Sequence, residues 1–359
     1  MKVLFIVPYP NEGASNRLRV EQFLPYLRAN GIEYTLRPFI GRGFYRILYL
    51  RHKYLKKILF FIFATVARIS DIFRAMAHDI IFIHREAYPF GPPVFEHIFR
   101  CLGKPIIYDF DDAIFLRNTS GINNYIERFK NPGKISGIVS LSRYVIAGNR
   151  YLRDFAARFN INVIIIPTTI DTDMYRPPAR RPDKKEVVIG WIGSNTTRRF
   201  LRDMEDVFKE LSARYDNLVF KIVGGYHHSE LKNVVNIEWS MEREIELLGT
   251  FDIGIMPMPD DEWTRGKCAF KAILYMACGI VPVCSPVGVN TEVVQDGVNG
   301  YLANDKSEWV GKLSALIEDR GLRERMAASA RALVEKKYSV KTYEPVFLRT
   351  LRAAGSENG

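Results

Sequence analysis

Residues 186–200 read EVVIGWIGSNTTRRF, which is an apolar strand, a glycine-containing turn and the start of a helix. The residues just before them, 171–185, read DTDMYRPPARRPDKK and are charged, rich in proline and without periodicity, as expected of a linker. A strand and helix that begin directly after a linker indicate a second domain. The sequence therefore predicts a first domain over residues 1–170, a linker over 171–185 and a second domain over 186–340.

Short apolar runs alternate with amphipathic helical segments on both sides of this linker. Examples are KVLFIVP at 2–8, DIIFIHR at 79–85, PIIYDF at 105–110 and FDIGIMPM at 251–258. This alternation is typical of parallel sheets with helices on both faces. We expect an α/β protein of two doubly wound, Rossmann-like domains that face a cleft, with residues 341–359 as a C-terminal helix and tail that cross back to the first domain. Ligands of such sheets bind beyond the carboxyl ends of the strands.

The composition is that of a globular protein, since 47% of the 359 residues are hydrophobic and 25% are charged. The four cysteines lack the spacing of paired metal ligands and favour a reducing compartment. The first residues, MKVLFIVPYP, resemble a buried strand more than a signal peptide. We therefore expect a cytoplasmic protein.

The net charge of +11 is concentrated in one segment. Residues 42–76 carry eight basic side chains and one acidic side chain. Apolar residues recur at helical spacing there, so residues 44–76 are predicted to form a basic amphipathic helix. Its longest uncharged run, 58–67, is ten residues, about half of what a bilayer span needs. We favour contact with an anionic membrane surface on the inner face of the cell membrane; the alternative is a helix that packs on a sheet with a solvated basic face. No nucleic-acid-binding motif accompanies the charge, so nucleic acid is not an expected partner.

The turn after the strand at 187–192 is a candidate anion site. Gly193 and Ser194 lie between the strand and a helix that carries Arg198. Backbone amides next to glycine, together with arginine, are the usual partners of a phosphate. The alternative is that the glycine serves only the steric needs of the turn.

A second cationic stretch, RGKCAFKAILYMACG, follows at residues 265–279. Lys267, Lys271 and Tyr275 are four residues apart, so the pattern predicts that they share one helix face. Two lysines near a helix N-terminus repel each other, and the positive end of the helix dipole repels both of them. A bound anion would make both electrostatic contributions favourable. The alternative is that Asp260, Asp261 and Glu262 neutralise the lysines.

The motif YDFDDAIF clusters three carboxylates directly after a predicted strand: Asp109, Asp111 and Asp112. Clustered carboxylates need a cation, a hydrogen-bond donor or a raised pKa. The functional interpretations are a general base, a hydrogen-bond acceptor for a substrate hydroxyl, or a divalent metal site. The structural alternative is that one aspartate caps a helix and another pairs with Arg85 or Arg117.

Two further loops of the first domain follow predicted strands and are candidate acceptor-side positions. His84 and Arg85 follow the strand at 79–83, although a core or surface histidine is the simpler interpretation. Gly13 and Arg17 lie in and after the first strand-to-helix loop. His227 and His228 are adjacent in a predicted loop, but no further ligands accompany them, and no metal site is expected.

The assembled motifs resemble those of glycosyltransferase family 4, retaining nucleotide-sugar transferases with the two-domain GT-B fold. The resemblance is carried by five runs: GASNRLRVEQFLPYL, IYDFDDAIF, VIAGNRYL, IGWIGSNTT and GKCAFKAILYMACGIVPVCSPVGVNTEVVQDGVNGYLA. It implies a nucleoside-diphosphate sugar on the second domain, an acceptor on the first, transfer with retention and no metal or other cofactor. Gly193, Ser194, Arg198, Lys267, Lys271 and Tyr275 would then bind the donor, together with Glu292.

One departure from the family pattern affects this interpretation. Many members carry two glutamates eight positions apart around the MACG helix, and those positions here are Gly266 and Leu274. The resemblance implies a branch in which Lys267 and Lys271 take over anion binding. A histidine often follows the strand that ends here in YDFDD, where this chain has Asp111 or a neighbour.

The sequence therefore predicts a glycosyltransferase that acts on a glycan or lipid-linked acceptor in cell-surface polysaccharide or lipopolysaccharide synthesis. The missing glutamates leave open a non-catalytic scaffold of the GT-B fold that serves a membrane assembly. A nucleotide-sugar epimerase of the same fold is a further alternative. A metal-dependent GT-A enzyme is disfavoured by the second α/β repeat.

Overall fold

The computed structural model describes residues 1–48, 50, 53–116, 131–179 and 185–356. Its chain forms two compact units, Met1–Thr169 with Val340–Gly359, and Ile170–Ser339. Each unit is built on its own six-stranded parallel sheet with flanking helices, so the predicted pair of Rossmann-like α/β domains is confirmed.

The first unit has the strand order β2-β1-β3-β4-β5-β6. Its strands are β1 (Lys2–Val7), β2 (Glu33–Pro38), β3 (Ile80–His84), β4 (Ile106–Phe110), β5 (Tyr144–Ala147) and β6 (Val163–Ile165). Its helices before the second unit are α1 (Ala14–Arg19), α2 (Leu24–Ala29), α3 (Arg42–Leu48), α4 (Tyr54–Met76), α5 (Val94–Cys101), α6 (Lys134–Leu141) and α7 (Arg150–Ala156). Every residue of β3 and β4 is buried, which explains why the central strands read as continuous apolar runs.

The second unit repeats this architecture with the order β12-β11-β10-β7-β8-β9. Its strands are β7 (Val187–Ile192), β8 (Leu218–Val223), β9 (Val234–Ile237), β10 (Ile253–Met256), β11 (Val281–Cys284) and β12 (Tyr301–Leu302). Its helices are α8 (Asn195–Arg198), α9 (Glu205–Arg214), α10 (Glu244–Leu248), α11 (Glu262–Arg265), α12 (Phe270–Ala277), α13 (Asn290–Val293), α14 (Lys306–Glu318) and α15 (Arg320–Lys337). Both faces of the sheet carry a buried apolar cluster.

The C-terminal helix α16 (Val340–Ser356) is part of the first unit. Its Phe347 stacks on Phe23 with ring centroids 4.6 Å apart and lies 5.3 Å from the ring of Phe82. These aromatic contacts place the helix against the first sheet, so the last segment of the chain completes the core of the unit that the chain began.

The segment predicted as a linker is partly anchored. Tyr175 is buried in the second unit, where its hydroxyl donates to Glu244 Oε1 at 2.6 Å. Arg331 on α15 donates to the carbonyl oxygen of Thr172 at 2.7 Å. Residues 171–175 therefore pack as part of the second unit, and residues 180–184 lie outside the described ranges.

The basic segment at 44–76 is two helices, α3 and α4, rather than the single helix predicted. Residues 49, 51 and 52 between them lie outside the described ranges. Phe44 on α3 stacks on Phe60 of α4 with centroids 5.7 Å apart, which holds the two helices together. No helix within the described residues has the length and apolarity needed to cross a lipid bilayer.

Candidate functional site

Each sheet has one position where the strand order reverses, and the candidate residues lie at these positions. In the first sheet the reversal falls between β1 and β3, and in the second between β7 and β10. The loops that leave neighbouring strands in opposite directions open a crevice there, which is where α/β sheets bind ligands. Each unit therefore carries a candidate site of its own.

The first unit's site is a chain of hydrogen-bonded side chains at the ends of β3 and β4. His84 and Asp109 are register partners on these strands, and His84 Nδ1 lies 2.6 Å from Asp109 Oδ2. His84 Nε2 lies 2.7 Å from the hydroxyl oxygen of Ser15, which donates to Asp111 Oδ2 at 2.8 Å. One continuous path thus joins the buried Asp109 to the partly exposed Asp111.

Two arginines neutralise this cluster. Arg19 donates through Nε to Asp109 Oδ2 at 3.2 Å, and its Nη2 also contacts the same carboxylate. Arg85 donates through Nε to Asp111 Oδ1 at 2.9 Å and through Nη2 to Asp112 Oδ2 at 3.3 Å. The predicted alternative that an aspartate pairs with Arg85 is therefore confirmed, while Arg117 lies outside the described ranges.

The pKa of Asp111 identifies what its carboxylate can do. Burial alone would raise that pKa, but the charges of Arg85, His84 and Arg19 and the hydrogen bond from Ser15 outweigh burial and hold it well below its usual range. A carboxylate that stays ionised is a strong hydrogen-bond acceptor and a weak base. Of the functions considered from sequence, the geometry favours an acceptor for a substrate hydroxyl.

Asp109, His84 and Ser15 have the connectivity of a nucleophilic triad, yet Ser15 is not arranged as a nucleophile. Its single hydroxyl hydrogen is directed to Asp111 rather than to His84. Asp109 itself has no exposed surface. The structure therefore corrects the predicted ligand contact of Asp109 to a positioning role, while the full burial of His84 agrees with its interpretation as a core histidine.

The remaining acceptor-side residues lie beside this cluster. Gly13 is buried in the loop after β1, where a Cβ atom would lie 2.7 Å from Tyr9 Cβ, so only glycine fits without displacement. Arg17 is half-buried on α1. Arg85 adopts a positive φ of 65°, which is costly for an arginine and is maintained by its two aspartate partners.

The second unit's site begins with a correction to the predicted helix. Helix α11 ends at Arg265 and α12 begins at Phe270, so Lys267 lies outside both helices. Ala269 between them has a left-handed backbone with φ of 52°. The prediction that Lys267, Lys271 and Tyr275 share one helix face is wrong, because this break changes the direction of the chain.

Lys271 lies against the turn that follows β7. A Cβ atom at Gly193 would lie 2.9 Å from Lys271 Cε and 2.6 Å from the indole of Trp191, so the lysine stem passes directly over the glycine. The Lys271 Nζ atom lies 5.5 Å from the Trp191 ring centroid. A lysine and a glycine backbone are thereby brought together at the strand end.

Arg198 joins this turn from the other side. Gly224 follows β8 with φ of 84°, and a Cβ atom there would lie 2.2 Å from the carbonyl oxygen of Gly193. At the next residue, Gly225, a Cβ atom would lie 3.1 Å from Arg198 Cδ, and Arg198 Nη1 donates to the carbonyl oxygen of Tyr226 at 2.6 Å. The glycines allow the loops after β7 and β8 to approach, and this approach places Arg198 beside the turn.

Trp263 supports two more cations of this site. Its ring lies 3.6 Å from Lys267 Nζ and 5.6 Å from Arg199 Cζ, measured to the ring centroid. Such cation–π contacts contribute about 0.5–2 kcal/mol each and hold flexible side chains in place. The four cations Arg198, Arg199, Lys267 and Lys271 thus belong to the segments that follow β7 and β10.

The acidic residues upstream have other partners. Asp260 pairs with Arg265, whose Nε lies 2.6 Å from Asp260 Oδ1. Asp261 caps α11, since its Oδ1 accepts from the backbone N–H of Thr264 at 2.7 Å. The structure therefore gives Asp260 and Asp261 these local roles in the loop, and neutralisation of the lysines by the acidic residues 260–262 stays a prediction.

Tyr275 is a core residue. Its hydroxyl accepts from the backbone N–H of Ile192 at 3.1 Å and donates to the carbonyl oxygen of Ile255 at 3.2 Å. The side chain has no exposed surface, and burial raises its pKa. The predicted role in donor contact is corrected to positioning, because the hydroxyl ties β7 to β10 at the reversal of strand order.

The other predicted donor residues differ in position. Ser194 is exposed at the start of α8, and Glu292 is exposed on α13. Gly266 and Leu274, which stand where the resembled family has glutamates, are both buried. Neither position offers a carboxylate to a ligand.

Sequence reasoning noted Arg19 and Arg199 beside the predicted glycine turns but missed Ser15, Trp191 and Trp263. Ser15 had a usable signal, since a hydroxyl residue follows the glycine of the first strand-to-helix loop. The two tryptophans had none, because an aromatic residue near a strand is most often core. Across the described ranges, no group of three or more His, Cys, Asp and Glu side chains is arranged to hold a metal ion, and a metal-independent reaction stays a prediction.

Comparison with known proteins shows which family the sequence of the second unit resembles. Residues 186–319 match the family model described as "Glycosyl transferases group 1". A curated relative from Arabidopsis thaliana, a subunit of phosphatidylinositol N-acetylglucosaminyltransferase, is 23% identical over 254 residues, or 68% of this chain. The aligned region spans 50% of that relative. The second unit thus carries the sequence pattern of group 1 glycosyltransferases.

Solved structures match nearly the whole chain. Anabaena HepE in complex with UDP-glucose is 15% identical with a TM-score of 0.70, and the match covers 98% of this chain and 100% of that chain. A glycosyltransferase from Rickettsia africae is 13% identical with a TM-score of 0.69, covering 99% and 98%. Sucrose-phosphate synthase from Thermosynechococcus elongatus is 13% identical with a TM-score of 0.66, covering 98% of each chain. At these identities the matches establish the fold, the two Rossmann-like domains of GT-B glycosyltransferases.

Proposed function

We propose that this chain is a retaining glycosyltransferase that moves a sugar from a nucleoside-diphosphate sugar to a glycan or lipid-linked acceptor. The observation that carries the proposal is the close approach of Lys271 to Gly193 at the end of β7. The match of residues 186–319 to group 1 glycosyltransferases supports it, as does the UDP-glucose held by HepE, a protein of the same fold. Retention rests on the resemblance to family 4.

The reaction breaks the bond between the anomeric carbon and the diphosphate oxygen and forms a bond from that carbon to an acceptor hydroxyl. Negative charge develops on the departing diphosphate, and the proton of the acceptor hydroxyl passes to the diphosphate oxygen that leaves the anomeric carbon. Preorganised cations and amide dipoles at that position stabilise the transition state. In this proposal Lys271, Arg198 and the backbone at Gly193 and Ser194 bind the diphosphate, and Lys267 and Arg199 add to the positive potential.

Asp111 is proposed to accept a hydrogen bond from a sugar hydroxyl and orient it. Its lowered pKa supports this function, because the carboxylate is ionised over the physiological range. Ser15 and His84 fix its position through the path to Asp109. No residue of this path is assigned as a general base, and no metal ion takes part in the proposed reaction.

The first test is donor binding and turnover by the purified chain. UDP-glucose leads the panel because of HepE, and UDP-N-acetylglucosamine follows because of the name of the Arabidopsis relative; GDP and ADP sugars complete it. Calorimetry measures binding, and chromatography measures sugar release or transfer. Absence of binding and of turnover with every donor would refute the enzyme proposal.

The second test identifies the site. Lys271→Ala is expected to weaken donor binding at least about tenfold through loss of a charge-assisted contact, and Lys271→Arg to retain part of it. Lys336→Ala, which removes an exposed lysine on α15, is the matched control. Equal affinity of Lys271→Ala and Lys336→Ala would place the donor elsewhere.

A non-catalytic scaffold in a membrane assembly is the second candidate, favoured by the buried Gly266 and Leu274 in place of carboxylates. It predicts donor binding without turnover under any acceptor condition. A nucleotide-sugar epimerase would instead change the donor sugar with no acceptor present. Analysis of the sugar released in the first test separates these two outcomes from glycosyl transfer. We also propose that the glycosyl transfer serves cell-surface polysaccharide or lipopolysaccharide synthesis.

A further inference from the structure

Helix α4 buries the charged side chains of Arg68 and Asp71 and exposes a row of apolar side chains. Arg68, Asp71 and Ala75 are its buried residues. With 100° between successive residues, these three positions fall on one side of the helix. An ordinary surface helix buries its apolar stripe instead.

A buried ionic cluster fixes this orientation. Arg68 Nη1 lies 2.9 Å from Asp71 Oδ2, and Arg37 Nε on β2 lies 2.6 Å from Asp71 Oδ1. Arg68 also donates to the carbonyl oxygen of Arg37 at 3.3 Å and lies 5.8 Å from the ring centroid of Phe39. Rotating the helix to hide its apolar side would break this cluster and leave buried charges without partners, which is strongly unfavourable.

The outward side of α4 is a continuous apolar surface. We define the α4 apolar face by six side chains that are each 51–79% exposed: Leu55, Leu59, Ile62, Phe63, Val66 and Phe73. Their spacing of three, four and seven residues aligns them along the helix. Eleven of the 21 large hydrophobic side chains that are exposed in the described part of the chain lie on α4. This concentration exceeds the scattered apolar residues of an ordinary surface.

Positive charge flanks the face at both ends. Lys53 and Lys56 are exposed at its amino-terminal end, and Arg74 is 51% exposed at its carboxyl-terminal end. Arg46 on α3 is also exposed. The acidic side chain of α4, Asp71, is buried between Arg68 and Arg37 and also lies 3.6 Å from Arg74 Nε, so it partly offsets the charge at the carboxyl-terminal end and leaves the amino-terminal lysines as the main cations beside the face.

We infer that the α4 apolar face and its flanking cations form a docking surface for an anionic lipid bilayer. Apolar side chains enter the boundary between headgroups and acyl chains, while lysine and arginine meet the lipid phosphates. Charge complementarity selects this occupant: an apolar strip with cationic ends matches acyl chains beneath a layer of negative headgroups. The inference concerns α4 alone and does not depend on sugar transfer.

Vesicle cosedimentation of the full chain, without nucleotide, tests the inference. Vesicles of phosphatidylcholine with about 30% phosphatidylglycerol are compared with vesicles of pure phosphatidylcholine. We expect binding to the anionic vesicles that weakens as salt is raised. Lys56→Glu/Lys57→Glu should lower the partition coefficient at least about tenfold, because the change replaces two cations beside the face with anions that the lipid phosphates repel. The control Lys336→Glu/Lys337→Glu makes the same charge change at two exposed lysines of α15 and should bind like the wild type.

A second variant tests the apolar part. Phe63→Ser/Val66→Ser should lower binding about tenfold or more, whereas Ile161→Ser, at a side chain that is 96% exposed elsewhere in the first unit, should not. A thermal unfolding temperature equal to that of the wild type shows that each variant is correctly folded. Wild-type protein that ignores anionic vesicles, or α4 variants that bind them normally, would overturn the inference. The inference would also be overturned if the wild-type protein formed a dimer that did not bind vesicles and if Phe63→Ser/Val66→Ser dissociated that dimer.

Discussion

The stem of Lys271 lies directly over Gly193, so that a Cβ atom at position 193 would come within 2.9 Å of Lys271 Cε. Gly193→Ala therefore displaces either the lysine or the Trp191 indole. We expect the affinity for UDP, measured by calorimetry, to fall about tenfold, and the free energy of unfolding to fall by about 1–3 kcal/mol through overpacking.

Gly311→Ala is the control for this substitution. Gly311 lies in α14 with nothing within 4 Å of an added Cβ atom. The change should stabilise the helix by about 0.5–1 kcal/mol and leave UDP binding unchanged. Normal UDP affinity in Gly193→Ala would contradict the assignment of this turn to the diphosphate.

Tyr275→Phe tests whether this residue positions the site. The substitution removes the hydroxyl that bonds Ile192 and Ile255, and the buried backbone groups lose a partner at a cost of about 1–3 kcal/mol. Urea denaturation should report that loss, and UDP affinity should fall less than in Lys271→Ala. Tyr226→Phe, at a tyrosine that is 63% exposed, should change stability by less than about 0.5 kcal/mol. If Tyr275→Phe lowered the free energy of UDP binding by more than the free energy of unfolding, the result would instead indicate direct contact between Tyr275 and the ligand.

The sequence was sufficient for the two α/β units because their central strands are buried on both faces and read as apolar runs. It was also sufficient for the strand-to-helix turn that carries Gly193 and Arg198, because glycine and arginine there form a local pattern, while donor binding by this turn stays a prediction. The break between α11 and α12 could not be predicted from the sequence. Residues 267–275 suit a helix by composition, and helix propensity gives no indication that Ala269 has a left-handed backbone with φ of 52°.

The cluster around Asp111 could be predicted only in part from the sequence, for a similar reason. Ser15 and Asp111 are separated by 96 residues, and their contact depends on the strand order of the first sheet. The sequence also predicts α4 as an amphipathic helix without indicating which side faces the protein. The Asp71 contact with Arg37, 34 residues away on β2, determines that side.

Asp111→Asn tests the pH dependence of the first unit's site. A carboxylate whose folded-state pKa is depressed stabilises the fold fully above its unfolded pKa of about 3.9, and this contribution is lost as pH falls towards the folded-state value. Urea denaturation at pH 7 should show Asp111→Asn to be less stable by about 3 kcal/mol, since Arg85 loses its nearest carboxylate. The difference from wild type should persist at pH 5 and shrink below about pH 4. Asp112→Asn, with its longer 3.3 Å contact to Arg85, should cost less. A constant difference down to pH 3 would contradict the lowered pKa.

Asp71→Asn tests the ionic cluster that orients α4. Asparagine keeps the shape of the side chain but removes the charge, which leaves the buried Arg68 and its neighbour Arg37 without this carboxylate. Burial already lowers the pKa of Arg68 to about 10, with Asp71 opposing that shift, so the loss of Asp71 makes the remaining charge more costly. We expect the free energy of unfolding to fall by about 3–5 kcal/mol. Glu33→Gln, which breaks the exposed pair with Lys2, should cost less than about 1 kcal/mol in the same denaturation experiment. If both substitutions cost the same, the Arg68–Asp71 pair does not determine which side of α4 faces the solvent.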